Sequence, residues 1–356
     1  MTEKKSRPDR QPHSGDFPIG RRPTVADVAR AANVSSMTVS NVVNKRFGSM
    51  GKDVRAEVER AISELGYRPN ASGRSLRLAK RFSIGMVVVD ESPTFLADAF
   101  ITRVVAGLSN YLSQRDYGLV VQGMSARTLP QSALVRRHET DALCVLMSGP
   151  ASRRRRLLER LAKPGHPVVV LQDVGSDSDG VISIRQDDFG GARELAQHML
   201  SRGGRDFVFM APDVEWPAIE QRIAGVTSAL QGDARSTFAV VNCADGGFSD
   251  SQAAIARYVA QSGWPNAIMG GNDQMGISAL KWVIDQGLRV PEDILVSGFN
   301  AFDTWQYTQP MLTTVISPAY EMGASAGAAI LDMLEGNLPS ERHRLFPVKL
   351  QPGGST

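Results

Sequence analysis

From Ser83 onward the chain alternates between short apolar runs and segments whose apolar residues repeat at helical spacing. The runs are Ile84-Gly85-Met86-Val87-Val88-Val89, Leu119-Val120-Val121, Ala142-Leu143-Cys144-Val145-Leu146, Val168-Val169-Val170-Leu171, Phe207-Val208-Phe209-Met210, Ala239-Val240-Val241, Ala267-Ile268-Met269 and Ile294-Leu295-Val296. Strands this uniformly apolar have no face for water, so they belong in parallel sheets covered on both sides by helices. The first intervening segment shows the helical spacing, through Phe100, Val104, Leu108 and Leu112. About 275 residues in this pattern exceed one comfortable core. They predict α/β architecture in two doubly wound parallel-sheet lobes.

The first quarter has a different texture. Residues 1–81 carry 17 Lys and Arg against 8 Asp and Glu, whereas the rest carry 23 against 29. A basic head on a mildly acidic body points to a nucleic-acid-binding module or, on charge alone, to a solvated basic tail. Residues 1–21 are polar and read as a disordered leader without the apolar stretch of a secretory signal. Thr24-Val25-Ala26-Asp27 is a capping-box-like helix start. Val25, Val28, Ala29 and Ala32 follow at helical spacing, and Asn33 suits the left-handed turn that ends the helix. Ser35 then caps a second helix from Ser36 to about Val43. Two short helices on a tight turn make an all-α helix-turn-helix. A third helix, about Lys52 to Leu65, is expected to bury Val54, Val58, Ala61, Ile62 and Leu65.

At this point the residues become specific. Thr24-Val25-Ala26-Asp27-Val28-Ala29, Asn33-Val34-Ser35 and Thr38-Val39-Ser40-Asn41-Val42-Val43-Asn44 resemble the signature of the LacI family of bacterial repressors. Gly66-Tyr67-Arg68-Pro69-Asn70-Ala71 and Arg74-Ser75-Leu76 resemble that family's linker and hinge helix, and the likeness runs over about residues 22–356. It implies a DNA-binding headpiece over 22–68, a hinge over 69–81 and a sensor over 82–356 shared in architecture with periplasmic sugar-binding proteins, whose chain crosses between lobes: lobe 1 over about 82–185 and 317–344, lobe 2 over about 186–316 and 345–356. It also implies that Ser36, Met37 and Asn41 face base edges, while Thr24, Thr38, Ser40 and Asn44 hold phosphates or stabilise the turn. Many relatives carry Arg where this chain has Asn41, a change from guanine towards adenine preference. Leu76 would wedge between base steps, with Arg74 and Arg77 on phosphates. Gly73 stands where alanine is usual and disfavours the hinge helix by about 1 kcal/mol.

Ligands of doubly wound sheets bind at the carboxyl ends of the strands. Pro93, Phe95, Asp173, Arg222, Asn272 and Asp273 fall there, and the family's matching Arg and Asp hold sugar hydroxyls. As alternatives, Arg222 is a surface salt bridge and Asp273 only a helix cap. Phe248 and Trp305 could stack on a sugar ring. Asn300 stands where the family usually has Asp, and losing that negative charge would ease binding of a sugar acid. The run Arg153-Arg154-Arg155-Arg156 reads as a solvated helix face, the alternative being a second DNA contact. Gly203-Gly204 reads as a helix stop.

No nucleophile elbow, phosphate loop or metal-ligand spacing stands out, so neither an enzyme, a cofactor nor a bound metal is expected. Cys144 and Cys243 read as two buried thiols of a cytoplasmic protein, and no apolar run reaches the ~20 residues that span a bilayer. The residues and the resemblance together predict a repressor that binds a palindromic operator in double-stranded DNA as a homodimer and is released by a sugar or sugar acid. The alternative is a cytoplasmic solute-binding protein without DNA function.

Overall fold

The computed structural model describes residues 23–48, 50–68, 80–91, 95–136, 139–162, 166–174, 180–244, 247–338 and 341–356. The chain divides into two compact units after Lys80.

The first unit holds α1 (Val25–Ala31), α2 (Ser36–Val43) and α3 (Lys52–Glu64). Its sequence punctuation acts as physical chemistry requires. The Asp27 amide donates to the Thr24 hydroxyl at 3.3 Å, and the Thr24 amide donates back to Asp27 Oδ2 at 2.9 Å, closing a capping box. Asn33 takes φ +50°, the left-handed conformation that turns the chain between α1 and α2. Val28, Val39 and Val58 meet at the centre, each wholly excluded from solvent. Val54, expected on the buried face of α3, is 38% exposed in the helix's first turn.

The second unit is two-lobed. Lobe 1 begins with β1 (Ser83–Val89), α4 (Ala99–Ser113), β2 (Gly118–Met124), the single turn α5 (Ala133–Arg136) and β3 (Ala142–Met147). It continues through α6 (Ala151–Leu161), β4 (Val168–Leu171) and β5 (Val181–Gln186). The chain then enters lobe 2 with α7 (Asp188–Ser201), β6 (Asp206–Pro212), α8 (Pro217–Leu230), β7 (Thr237–Cys243) and α9 (Phe248–Ser262). β8 (Ala267–Gly270), α10 (Asp273–Asp285), β9 (Leu295–Ser297) and β10 (Thr314–Ile316) follow. It returns to lobe 1 with α11 (Ala319–Leu334) and β11 (His343–Phe346), and ends in lobe 2 with β12 (Lys349–Gln351).

Lobe 1 is a six-stranded parallel sheet in the order β11-β5-β4-β3-β1-β2. Lobe 2 is a four-stranded parallel sheet, β7-β6-β8-β9. The antiparallel pair β10-β12 extends it through bridges from Ser297 to Thr313 and Asn300 to Ile316. Every residue of β3 and β4 is buried, as strands covered on both faces must be. Helices α4 and α11 cover one face of the lobe 1 sheet together, and glycines let them touch. A Cβ on Gly107 would fall 1.9 Å from the Tyr320 carbonyl oxygen, and one on Gly323 would fall 2.1 Å from that of Val104. Cys144 and Cys243 are both buried and unbridged. Among the described residues no helix is long and apolar enough to cross a membrane.

Candidate ligand cleft and helix-turn-helix face

A cavity of about 230 Å3 opens between the two lobes, at the carboxyl ends of their strands. Lobe 1 contributes Asp90 just beyond β1, Phe95, Asp98 and Phe100 around the start of α4, and Gln172 just beyond β4. Lobe 2 contributes Trp216 and Arg222 from α8 and its cap, Asn272 and Gln274 around the start of α10, and Asn300 beyond β9. A larger hollow of about 340 Å3 is built from lobe 1 alone and lacks this convergence of two sheets.

Arg222 is the centre of the site and is only 3% exposed. Its Nε donates to Asp188 Oδ1 at 2.8 Å, one terminal nitrogen donates to the Gly271 carbonyl, and the other donates to Asn300 Oδ1 at 3.1 Å. The Phe299 ring lies 3.8 Å from the guanidinium carbon. A buried guanidinium needs a counter-charge, and Asp188 supplies it from beneath the cavity floor. Asp188 is fixed in turn by amide donors from Gln172 at 3.2 Å and Gln186 at 2.9 Å. The Arg222 side chain is thus rigid before any ligand arrives, and its charge is compensated inside the protein.

The expected ligand contacts separate into two groups. Phe95, Arg222, Asn272 and Asn300 line the cavity. Asp173, Phe248, Asp273 and Trp305 do not. Asp173 turns away and accepts from Arg154 at 2.8 Å and from the Val174 amide at 2.8 Å; its neighbour Gln172 takes the cavity position, with φ +60°. Phe248, the first residue of α9, is 44% exposed and does not line the cavity, although Gly247 before it does. Trp305 belongs to the lobe 2 core. Asp273 is buried behind Asn272. It is not the helix cap, since Asn272 Oδ1 accepts the Met275 amide at 2.9 Å. Asp273 instead accepts from the Phe302 amide at 3.0 Å and from the Thr314 hydroxyl, pinning the loop that presents Asn300. Burial lifts its carboxyl to about 7, against those donors, which favour the ionised form.

Arg154 overturns the reading of the arginine run as a wholly solvated face. It is 3% exposed and donates to the Gly149 carbonyl, to Asp173, and across the lobes to Glu220 Oε1 at 3.1 Å. Beside it the Gly149 amide donates to the Glu215 carbonyl at 2.6 Å, a second link between lobes. Trp216, a lobe 2 residue, packs against the lobe 1 core.

In the first unit, Ser36 and Met37 project from the start of α2, with Met37 70% exposed. Asn41 is half-buried one turn on. The other polar residues have local duties. The Thr24 hydroxyl donates to Asp27 Oδ2 at 2.7 Å, Thr38 shares a hydrogen bond with the Ser35 hydroxyl at 2.9 Å, and the Asn44 amide donates to the Ser40 carbonyl at 2.6 Å. Arg74, Leu76, Arg77 and Pro93 lie outside the described residues, as do residues 1–21. Among the described residues no group of three His, Cys, Asp or Glu side chains could hold a metal.

Residues 24–70 match the sequence profile of bacterial regulatory proteins of the lacI family, and residues 196–356 match that of a periplasmic binding protein-like domain. The chain is 30% identical over 336 residues to the HTH-type transcriptional repressor PurR of Edwardsiella ictaluri, covering 92% of this chain and 94% of that one. It is 27% identical over 344 residues to the ribose operon repressor of Escherichia coli K12, covering 93% and 99%. A lac repressor dimer bound to operator and the anti-inducer ONPF superposes with a TM-score of 0.82 at 23% identity, covering 94% of this chain and 99% of that one. A complex of the transcriptional regulator CelR with cellobiose gives 0.68 at 24% identity, covering 94% and 100%. At these identities the structures bear on the fold: a helical headpiece followed by two parallel-sheet lobes.

Proposed function

Because the chain belongs to the LacI family of helix-turn-helix transcriptional regulators, we propose that it represses a carbohydrate-related operon and is released from its operator by a small sugar-class ligand held between the lobes. The observation that carries the proposal is one chain holding both an exposed reading face at Ser36 and Met37 and an inter-lobe cavity with a pre-set arginine.

On DNA, Ser36, Met37 and Asn41 read base edges from the major groove. Met37 offers apolar contact of the kind that recognises a thymine methyl, and Asn41 suits adenine. Thr24, Thr38, Ser40 and Asn44 shape α1 and α2 and present phosphate contacts, with Arg74, Leu76 and Arg77 acting through the hinge. Two copies read a palindrome, one half-site each. In the cleft, Arg222, Asn272 and Asn300 bind hydroxyls, and Phe95 and Trp216 cover the ring. Asp173, Phe248, Asp273 and Trp305 support the site from outside it. Ligand that binds the closed lobes more tightly shifts the population away from the DNA-competent form. By linkage, operator must weaken ligand binding by the same factor.

The test is selection of duplexes from a random DNA library by the purified protein, with and without a pool of sugars. A palindrome whose recovery falls when the pool is added is the expected result. No enrichment from folded protein would favour a solute-binding protein whose headpiece does not engage DNA.

A further inference from the structure

The effector reading leaves open which sugars the cleft admits, and the charges around it bear on that. Arg222 is the one cation among the described lining residues, and Asp188 neutralises it from below the floor. Asn300, whose lost carboxylate would otherwise ease an anion's entry, already accepts from Arg222. Two carboxylates remain, Asp90 and Asp98, both on the lobe 1 wall. Each spends a single oxygen on the protein. Asp90 Oδ1 accepts from the Glu91 amide at 2.8 Å and the Ser148 hydroxyl at 3.2 Å, and Asp98 Oδ1 accepts from the Phe100 and Ile101 amides at 2.7 and 3.2 Å. Neither Oδ2 has a protein partner among the described residues.

We propose that the cleft takes a cationic ligand of the amino-sugar class and rejects sugar acids, with Asp90 and Asp98 setting that choice. This rests on the reading of the cavity as the effector site. Burial raises the Asp98 carboxyl from its ordinary value and the Asp90 charge adds to that rise, so a cation between the two favours the ionised form of both. An ionised carboxylate only accepts hydrogen bonds, so the two unpartnered oxygens then take N–H or O–H donors from the ligand. A ligand carboxylate would face two like charges and find the arginine's charge already compensated. An ammonium meets both carboxylates, and charge-assisted hydrogen bonds are about twice as strong as neutral ones. Phe95 and Phe100 on the lobe 1 wall and Trp216 on the lobe 2 wall supply aromatic surface, which suits a ring's apolar face and a cation alike.

The two aspartates allow a clean test, because Asp→Asn keeps the oxygen that each uses for the protein and removes only the charge. Asn also caps a helix as well as Asp does. The full-length protein would be titrated calorimetrically with glucose, galactose and mannose, each beside its 2-amino-2-deoxy and uronic acid derivatives. At least one amino sugar is expected to bind about tenfold or more tightly than its parent, with its acid undetectable. In Asp90→Asn and Asp98→Asn that ratio should shrink, reaching about twofold in the double variant, with thermal unfolding unchanged as the check on folding. Hexoses binding without an amine preference, an acid binding as tightly as its parent, or a preference that survives the double substitution would each overturn the inference while leaving the effector reading intact. No binding across all three series by folded protein would overturn both this inference and the sugar-class reading.

Discussion

Asp273 shows how one side chain can carry the geometry of a site it does not touch. Its carboxyl, lifted by burial from 3.8 to about 7, takes hydrogen bonds from the loop that presents Asn300. An acid whose folded pKa lies above its unfolded value holds its proton more tightly when folded. Its contribution to stability is therefore complete below about pH 4 and lost as pH rises through 7, by up to about 4 kcal/mol. Urea unfolding between pH 4 and 8 should show that falling component in the wild type. Asp273→Asn should flatten it, because Asn does not titrate and can still accept from the Phe302 amide through Oδ1 while its Nδ2 donates to the Thr314 hydroxyl. An unchanged slope would assign the pH dependence to other carboxyls. The same scale shows where sequence reading fell short. Asp173 and Gln172 are neighbours, and only the left-handed turn at Gln172 decides which one faces the cavity. Strand alternation cannot reveal that twist. Asp188, at the start of a helix after an unrecognised strand, gave no signal of its buried arginine.

Among the elements, α8 is one through which the lobes act on each other, beside the Arg103–Asp303 ion pair between α4 and lobe 2. It places Arg222 under the cavity and Glu220, two residues earlier, against Arg154 of α6. Glu220 is 43% exposed, so screening limits the pair to about 0.5–1 kcal/mol. The adjacent Gly149 amide, bonded to the Glu215 carbonyl, reports on whether the pair holds the lobes together. In Glu220→Gln that amide should exchange its hydrogen about two- to fivefold faster, with amides inside β3 unaffected. Equal rates would mean the lobes are held by other contacts, such as the Arg103–Asp303 pair and the packing of Trp216. The long apolar strands were legible because burial on both faces leaves them nearly free of polar residues. The sequence pattern missed β5, β10, β11 and β12 for the opposite reason. β10 and β12 have three residues each, too few to show a period, and β11 is a half-exposed edge strand. β5 carries Ser183, Arg185 and Gln186, of which Gln186 serves Asp188. Function placed polar residues where the fold alone would have left apolar ones.

For the whole molecule, the charge imbalance between head and body has a thermodynamic signature. If the basic head holds phosphates, the logarithm of operator affinity should fall linearly with the logarithm of salt concentration, by about 0.9 for each phosphate neutralised. Fluorescence anisotropy across a salt series would measure it, and a nearly flat line would mean that the positive charge of residues 1–81 lies off the DNA. The order of the chain has a separate consequence, for the protein as it emerges from the ribosome. The headpiece core closes with Tyr67, whereas lobe 1 lacks helix α11 and its edge strand β11 until residues 319–346 have been made. At roughly 5–20 residues per second, tens of seconds can separate the two events. Through that interval a finished DNA-reading head is tethered to an unfinished sensor, so each newborn chain can meet nucleic acid before any ligand can govern it.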